Sequence, residues 1–191
     1  MKKLLILLFL LILNISLFAQ NDYYWQENQK IFLEKIPDKK YVVIKNVSNG
    51  NDLKQKLNLP NATVHKFEET NVYIGHNPYN INAKPKIKWA IIESDSIINV
   101  NLSVKNEIIY ESSFYIAQGK KETGLSHLFY VKLYNSADIN QLEQLALAYN
   151  VDILGNNKFM PLWFTLSCSK NSNGNALEMA NLLRTQGLAR P

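Results

Sequence analysis

Cysteine is nearly missing from this chain. Cys168 stands alone, so no disulfide can form within the chain. Histidine is almost as scarce. His65 and His76 lie far apart with no cysteine near them, so no metal-ligand spacing forms, and His127 sits beside a strand entry, where a structural imidazole fits better than a general base. Glycines number 7, and Gly119, Gly124 and Gly155 stand singly, which leaves no loop to cradle a phosphate and implies no nucleotide cofactor. The formal charge is only +5, and the lysines are scattered (Lys39-Lys40, Lys84 and Lys86, Lys120-Lys121) without the arginine-and-aromatic stripe of a nucleic-acid groove. A serine-protease triad needs Asp, His and Ser in set surroundings, and no such surroundings occur. These absences point to a protein that is not an enzyme, holds no metal and binds no nucleic acid.

What the chain does have starts at its first residues. Lys2-Lys3 precede an almost wholly apolar run from Leu4 to Phe18, followed by Ala19-Gln20 as a cleavage point, although Leu17 is not the small residue preferred at the third place before the cut. The run is short for a membrane span. Residues 1–19 therefore read as a signal peptide, with export to the periplasm, the cell surface or the medium. No cysteine near the cut suggests lipidation. With Lys2 and Lys3 removed, the formal charge falls to about +3. The 47% hydrophobic content suffices for a real core.

Residues 20–118 read as a strand-rich subdomain. Strands are expected at 30–35 and 40–45, flanking a hairpin turn at Pro37-Asp38. A helix is expected over 52–59, capped by Asn51 and stopped by Pro60. A loop over 79–86 leads to a strand at 87–92, and two more strands follow at 97–104 and 107–117, turning at Lys105-Asn106. Residues 119–125 make a polar connector.

Residues 126–187 carry the clearest pattern. Alternation over 126–133 puts Phe129, Val131 and Leu133 on one side of a strand and Tyr130 and Lys132 on the other. Ser136 and Asp138 start a helix whose stripe is Ile139, Leu142, Leu145, Ala146 and Tyr149, closed by Asn150. Strands follow at 151–154 and 162–168, separated by a break at Gly155-Asn156-Asn157. Cys168 shares a strand face with Leu162, Phe164 and Leu166, which marks it as a buried small hydrophobe. Asn175 with Glu178 spells a capping box for a last helix on Ala176, Met179, Ala180 and Leu183, ending at Gly187. The order strand, helix, strand, strand, helix is a ferredoxin-like split βαβ unit, over 126–191, lacking its last strand. The fold class expected is α+β. The first half echoes the second: a strand at 41–45, a helix and a strand around Trp89 parallel the strand at 129–133, its helix and the strand around Trp163.

Words spread along the chain also resemble a known family. They include Ile109-Tyr-Glu-Ser112, Gly124-Leu-Ser-His-Leu-Phe-Tyr-Val-Lys-Leu133, Leu154-Gly-Asn-Asn-Lys158, Met160-Pro-Leu-Trp163, Thr165-Leu-Ser-Cys168 and Gly174-Asn-Ala-Leu-Glu-Met-Ala-Asn181. Together they resemble the N-terminal pro-region of secreted subtilisin-like serine proteases of the Bacteroides type. The resemblance implies a folding aid and temporary inhibitor of a protease domain. Ser113 departs from the proline usual after Glu-Ser, and Ala189-Arg190-Pro191 stands where the family has a further acidic-aromatic strand; the expected product is thus a truncated pro-region without its protease domain. A free-standing protease inhibitor or binding module of the same fold is the alternative.

In a ferredoxin-like sheet the first and third strands are neighbours, which would bring Tyr130 and Lys132 beside Trp163 and Thr165 on the helix-free face. Aromatics amid polar neighbours suit a partner surface, and in the family resembled that face packs on the protease. The other occupant open to this face is the chain's own first half. The missing last strand would make 128–133 an edge prone to self-association. Asp95-Ser96-Ile97 resembles the O-glycosylation acceptor of exported Bacteroides-type proteins.

Overall fold

A computed structural model describes residues 22–26, 28–70, 87–98, 106–117 and 119–188. The expected leader, the loop over 79–86 and most of the strand expected at 97–104 lie outside these residues. The elements in order are β1 (Tyr23–Gln26), β2 (Gln29–Lys45), α1 (Gly50–Leu57), β3 (Thr63–Glu69), β4 (Ile87–Glu93), β5 (Ile108–Ala117), β6 (Thr123–Gly124), β7 (Leu128–Lys132), α2 (Ile139–Ala148), β8 (Asp152–Asn157), β9 (Met160–Ser167) and α3 (Ala176–Thr185). The fold is mixed α/β and strand-rich, with two antiparallel sheets.

The first sheet runs β3-β4-β2-β5-β6, with β1 paired to the start of β2. Its organiser is β2, which alternates Val42 and Ile44 onto one face and Tyr41 and Val43 onto the other. The first pair meets Ala90, Ile92, Ile98 and Ile108 and is covered by Leu53 and Leu57 of α1. The second pair belongs to a core shared with the second sheet, where Tyr110 and Phe114 join Phe129, Val131, Leu133, Leu142, Leu166, Met179 and Leu183. One hydrophobic core thus draws on both halves of the chain.

The hairpin expected at Pro37-Asp38 is not formed. β2 runs straight through that dipeptide, and residues 37–39 stand as a bulge between the pairs Ile36↔Phe114 and Lys40↔Ser113. Proline lacks an N–H and so suits a bulge in a central strand. The exposed carbonyls are taken up from the segment after β4: Ile98 donates its N–H to Pro37 at 3.2 Å and Ser94 donates to Asp38 at 2.9 Å. Ile97 and Ile98 are therefore outside any strand.

Helix α1 begins and ends two residues earlier than expected. Asn49, not Asn51, is the cap, its side chain accepting from the N–H groups of Asn51 and Asp52, and Asn58 closes the helix at φ 55° before Pro60 is reached. Part of the expected connector pairs instead: Thr123 and Gly124 form β6 against Tyr115 and Phe114.

The second sheet has the order β7-β9-β8, antiparallel throughout. Its first helix is entered through a 3-10 turn, Ser136–Asp138, capped by Asn135 rather than Ser136. β8 continues through Gly155 to Asn157, where a break was expected; a bulge with Gly155 at φ 138° absorbs the irregularity and the turn moves to Lys158-Phe159. α3 starts on the capping box of Asn175 and Glu178 and stops at Gly187, φ 72°, as expected.

The two halves follow the same plan. β2, α1, β3 and β4 give the order β2-β4-β3, and β7, α2, β8 and β9 give β7-β9-β8. In each, the helix covers one face of the sheet and the tryptophan of the middle strand, Trp89 or Trp163, lies on the other.

Candidate partner-binding face

The helix-free face of the second sheet carries the even-numbered residues of β7 and their partners on β9: Leu128 opposite Ser167, Tyr130 opposite Thr165, and Lys132 opposite Trp163. The side chains expected to meet, Tyr130, Lys132, Trp163 and Thr165, are brought together here. Tyr130 is 65% exposed, while Lys132, Trp163 and Thr165 are half-buried. Lys132 lays its ammonium 5.5 Å from the centre of the Trp163 ring, so the charge shields the indole on one side. At the end of this hairpin Phe159 is 88% exposed, held by a turn in which Asn157 accepts from the N–H groups of Phe159 and Met160. Phe159 was not singled out from the sequence, because a lone aromatic beside a proline carries no periodic signal.

The matching face of the first sheet is not open. There Tyr41 stacks on Trp89 at 5.8 Å, and Tyr41, Val43 and Tyr110 enter the shared core. By pairing position, Tyr41 and Trp89 are to β2 and β4 what Tyr130 and Trp163 are to β7 and β9. One Tyr/Trp face is covered by the rest of the chain; at its counterpart Tyr130 is exposed, Trp163 is half-buried and Ser167, at the far end, is buried.

At the junction of the halves sits His127, 3% exposed. Its Nδ1 is 3.0 Å from the Tyr41 hydroxyl and its ring lies 6.1 Å from that of Tyr110. Burial lowers the imidazole to about pKa 4, so it is neutral near pH 7, and Nε2 has no partner. Tyr110 receives the N–H of Ala176 at the start of α3, at 3.2 Å, and Cys168 donates its N–H to the His127 carbonyl at 2.8 Å. Burial pushes the Cys168 thiol up to about 12, so it stays protonated near pH 7. These groups form a buried junction between the two halves.

Elsewhere, His65 pairs with Glu93 at 2.6 Å, and Lys39 bridges Glu93 and Glu122. The cluster is solvated, and among the described residues no group of three His, Cys, Asp or Glu could hold a metal. Ser96 lies in an exposed bend after β4, between Asp95 and Ile97. Asn181 donates to the Tyr23 carbonyl at 2.6 Å and Arg184 covers Trp25 at 4.5 Å, which ties β1 to α3.

No protein-family model, curated protein or solved structure matches the chain.

Proposed function

We propose that this chain is a non-catalytic pro-region of a secreted subtilisin-like serine protease, a folding aid and inhibitor that docks on a protease domain through the face bearing Tyr130, Lys132, Trp163 and Thr165. In this reading the unit from residue 126 onward is ferredoxin-like, the chain is exported after cleavage near Ala19, and its own serines and histidines perform no hydrolysis. The resemblance along the chain supplies the partner class. The observation that carries the docking is the contrast between equivalent faces: Tyr41 and Trp89 are packed away, whereas Tyr130 stands 65% exposed beside Trp163. An exposed tyrosine beside a half-buried tryptophan, with lysine and threonine next to them, has the composition of an interface centre.

The test is inhibition of a subtilisin-like protease domain from the same genome by the wild-type chain and by Tyr130→Ala and Trp163→Ala. Each substitution is expected to weaken inhibition about tenfold or more while leaving the melting temperature nearly unchanged. Equal losses of stability and inhibition would make these side chains structural. Absence of binding to any such protease would overturn the reading.

A further inference from the structure

The free side of β7 is as specific as its face. Cys168 donates to the His127 carbonyl at one end of the β7–β9 ladder and Leu133 donates to the Leu162 carbonyl, at 2.9 Å, at the other. Antiparallel pairs alternate in the direction of their main-chain groups, so Phe129 and Val131 also turn theirs toward β9. Leu128, Tyr130 and Lys132 therefore turn their N–H and C=O groups outward, on the side where no described strand pairs. Ser126 closes the first of these. Its hydroxyl accepts from the Leu128 N–H and donates to the Leu128 carbonyl, both at 3.1 Å. Two residues of open ladder remain, Tyr130 and Lys132, whose four main-chain groups have no partner among the described residues.

The first half shows what such a side can take. On β2, the side away from β4 is occupied by antiparallel β5, with Tyr41↔Ser112 and Val43↔Tyr110 in register. The same side of β7, beside the equivalent Tyr130 and Lys132, is vacant among the described residues.

We infer that β7 pairs with β7 of a second copy, antiparallel about a two-fold axis at Val131. In that register Tyr130 of each copy faces Lys132 of the other, and each such pair exchanges both N–H···O bonds. All four open groups of each chain are satisfied, and the Ser126 caps are left undisturbed. The alternative register, Tyr130 opposite Tyr130, would set Lys132 against the closed Leu128 and waste half the edge. Side chains agree with the choice: each Lys132 ammonium, already beside Trp163, comes to lie directly across from the other copy's exposed Tyr130 ring, giving two symmetric cation–π contacts. The result is one continuous sheet, β8-β9-β7-β7-β9-β8, with the Tyr130/Trp163 faces merged and still open. The pairing does not depend on the protease reading, since its main-chain bonds use the edge of the sheet.

Sedimentation of the full chain, purified from cells that export it, tests the pairing. A monomer–dimer equilibrium with a Kd on the order of 10–100 µM is expected for so short a contact. Lys132→Pro removes an outward N–H that serves no β9 partner, so it should leave the melting temperature within a few degrees and weaken the dimer about tenfold or more. Cysteine cross-linking fixes the register without relying on that variant. A mixture of Tyr130→Cys and Lys132→Cys chains should yield the mixed disulfide dimer in preference to either homodimer. A chain that stays monomeric into the millimolar range, a Lys132→Pro chain that dimerises as tightly as wild type, or preferential cross-linking of Tyr130→Cys to itself would overturn the inference.

Discussion

Tyr41 on β2 and His127 at the mouth of β7 meet with hydroxyl and Nδ1 3.0 Å apart, and this contact joins the two halves of the chain inside their shared core. The imidazole is held neutral there, and that has a thermodynamic consequence. Its folded pKa, about 4, lies below the ordinary value of 6.5, so in acid the unfolded chain binds the proton first. Stability from this group is full above pH 6.5 and is lost as pH falls toward 4, by at most about 3 kcal/mol.

Unfolding free energies measured between pH 7.5 and 5 should accordingly fall by about 2 kcal/mol. Carboxylates contribute little in that window: hydrogen bonds from Ser48 hold Asp52 low, and His65 followed by Lys39 hold Glu93 low, so their contributions are full above the usual carboxylate range and are lost as pH falls through it and below. His127→Phe should flatten the pH dependence while costing about 1–2 kcal/mol at pH 7.5, because the Tyr41 hydroxyl loses its partner. A slope unchanged in the variant would assign the acid sensitivity elsewhere.

Gly124 offers a test of close packing at the sheet edge. It pairs with Phe114, whose ring lies across it so closely that a Cβ would meet Cζ at 2.5 Å. Phe114 is buried on β5 and cannot swing away freely. Gly124→Ala should therefore cost about 1–3 kcal/mol by displacing the ring, although Gly124 itself is exposed. Gly119→Ala has open space but a φ of 71°, so its smaller cost, about 1 kcal/mol, would come from the backbone alone. Chemical denaturation of the two variants separates these causes.

Local signals were legible where a few consecutive residues decide the outcome. Asn175 and Glu178 cap α3 on their own, and alternation alone puts Tyr130 opposite in sense to Phe129 and Val131. The failures share a cause, which is that distant partners overrode local preference. Pro37-Asp38 has every mark of a turn, yet β5 on one side and the carbonyl acceptors for Ser94 and Ile98 on the other stretch it into a bulge. Gly155 would end a strand in isolation, but β9 pairs across it. The Tyr/Trp content of the second sheet's helix-free face was legible; whether the first half covers that face, and that it covers its own equivalent one, was not, because two sheets sharing a core leave no mark in the spacing of either.

Export supplies a further outcome. The charged start, apolar run and Ala19-Gln20 predict a mature chain beginning near Gln20, readable as the intact mass of the protein recovered from exporting cells. An unprocessed Met1 would indicate retention as an anchor.

Trp89 and Trp163 give the sharpest comparison the fold allows, since they hold the same position in two units of the same plan. Trp89 stacks on Tyr41 and packs against the core that both halves share, so Trp89→Ala empties part of that core and should cost about 3–5 kcal/mol. Trp163 is half-buried and belongs to neither core, with the Lys132 ammonium over its ring, so Trp163→Ala should cost much less, about 1 kcal/mol, chiefly the half-burial and the cation–π contact. Binding should reverse the ranking: at a fold-preserving temperature, Trp163→Ala should lose far more affinity for a protease domain than Trp89→Ala. Denaturant midpoints and inhibition constants on the two variants form a crossed design in which a purely structural Trp163 would show the larger effect on neither axis.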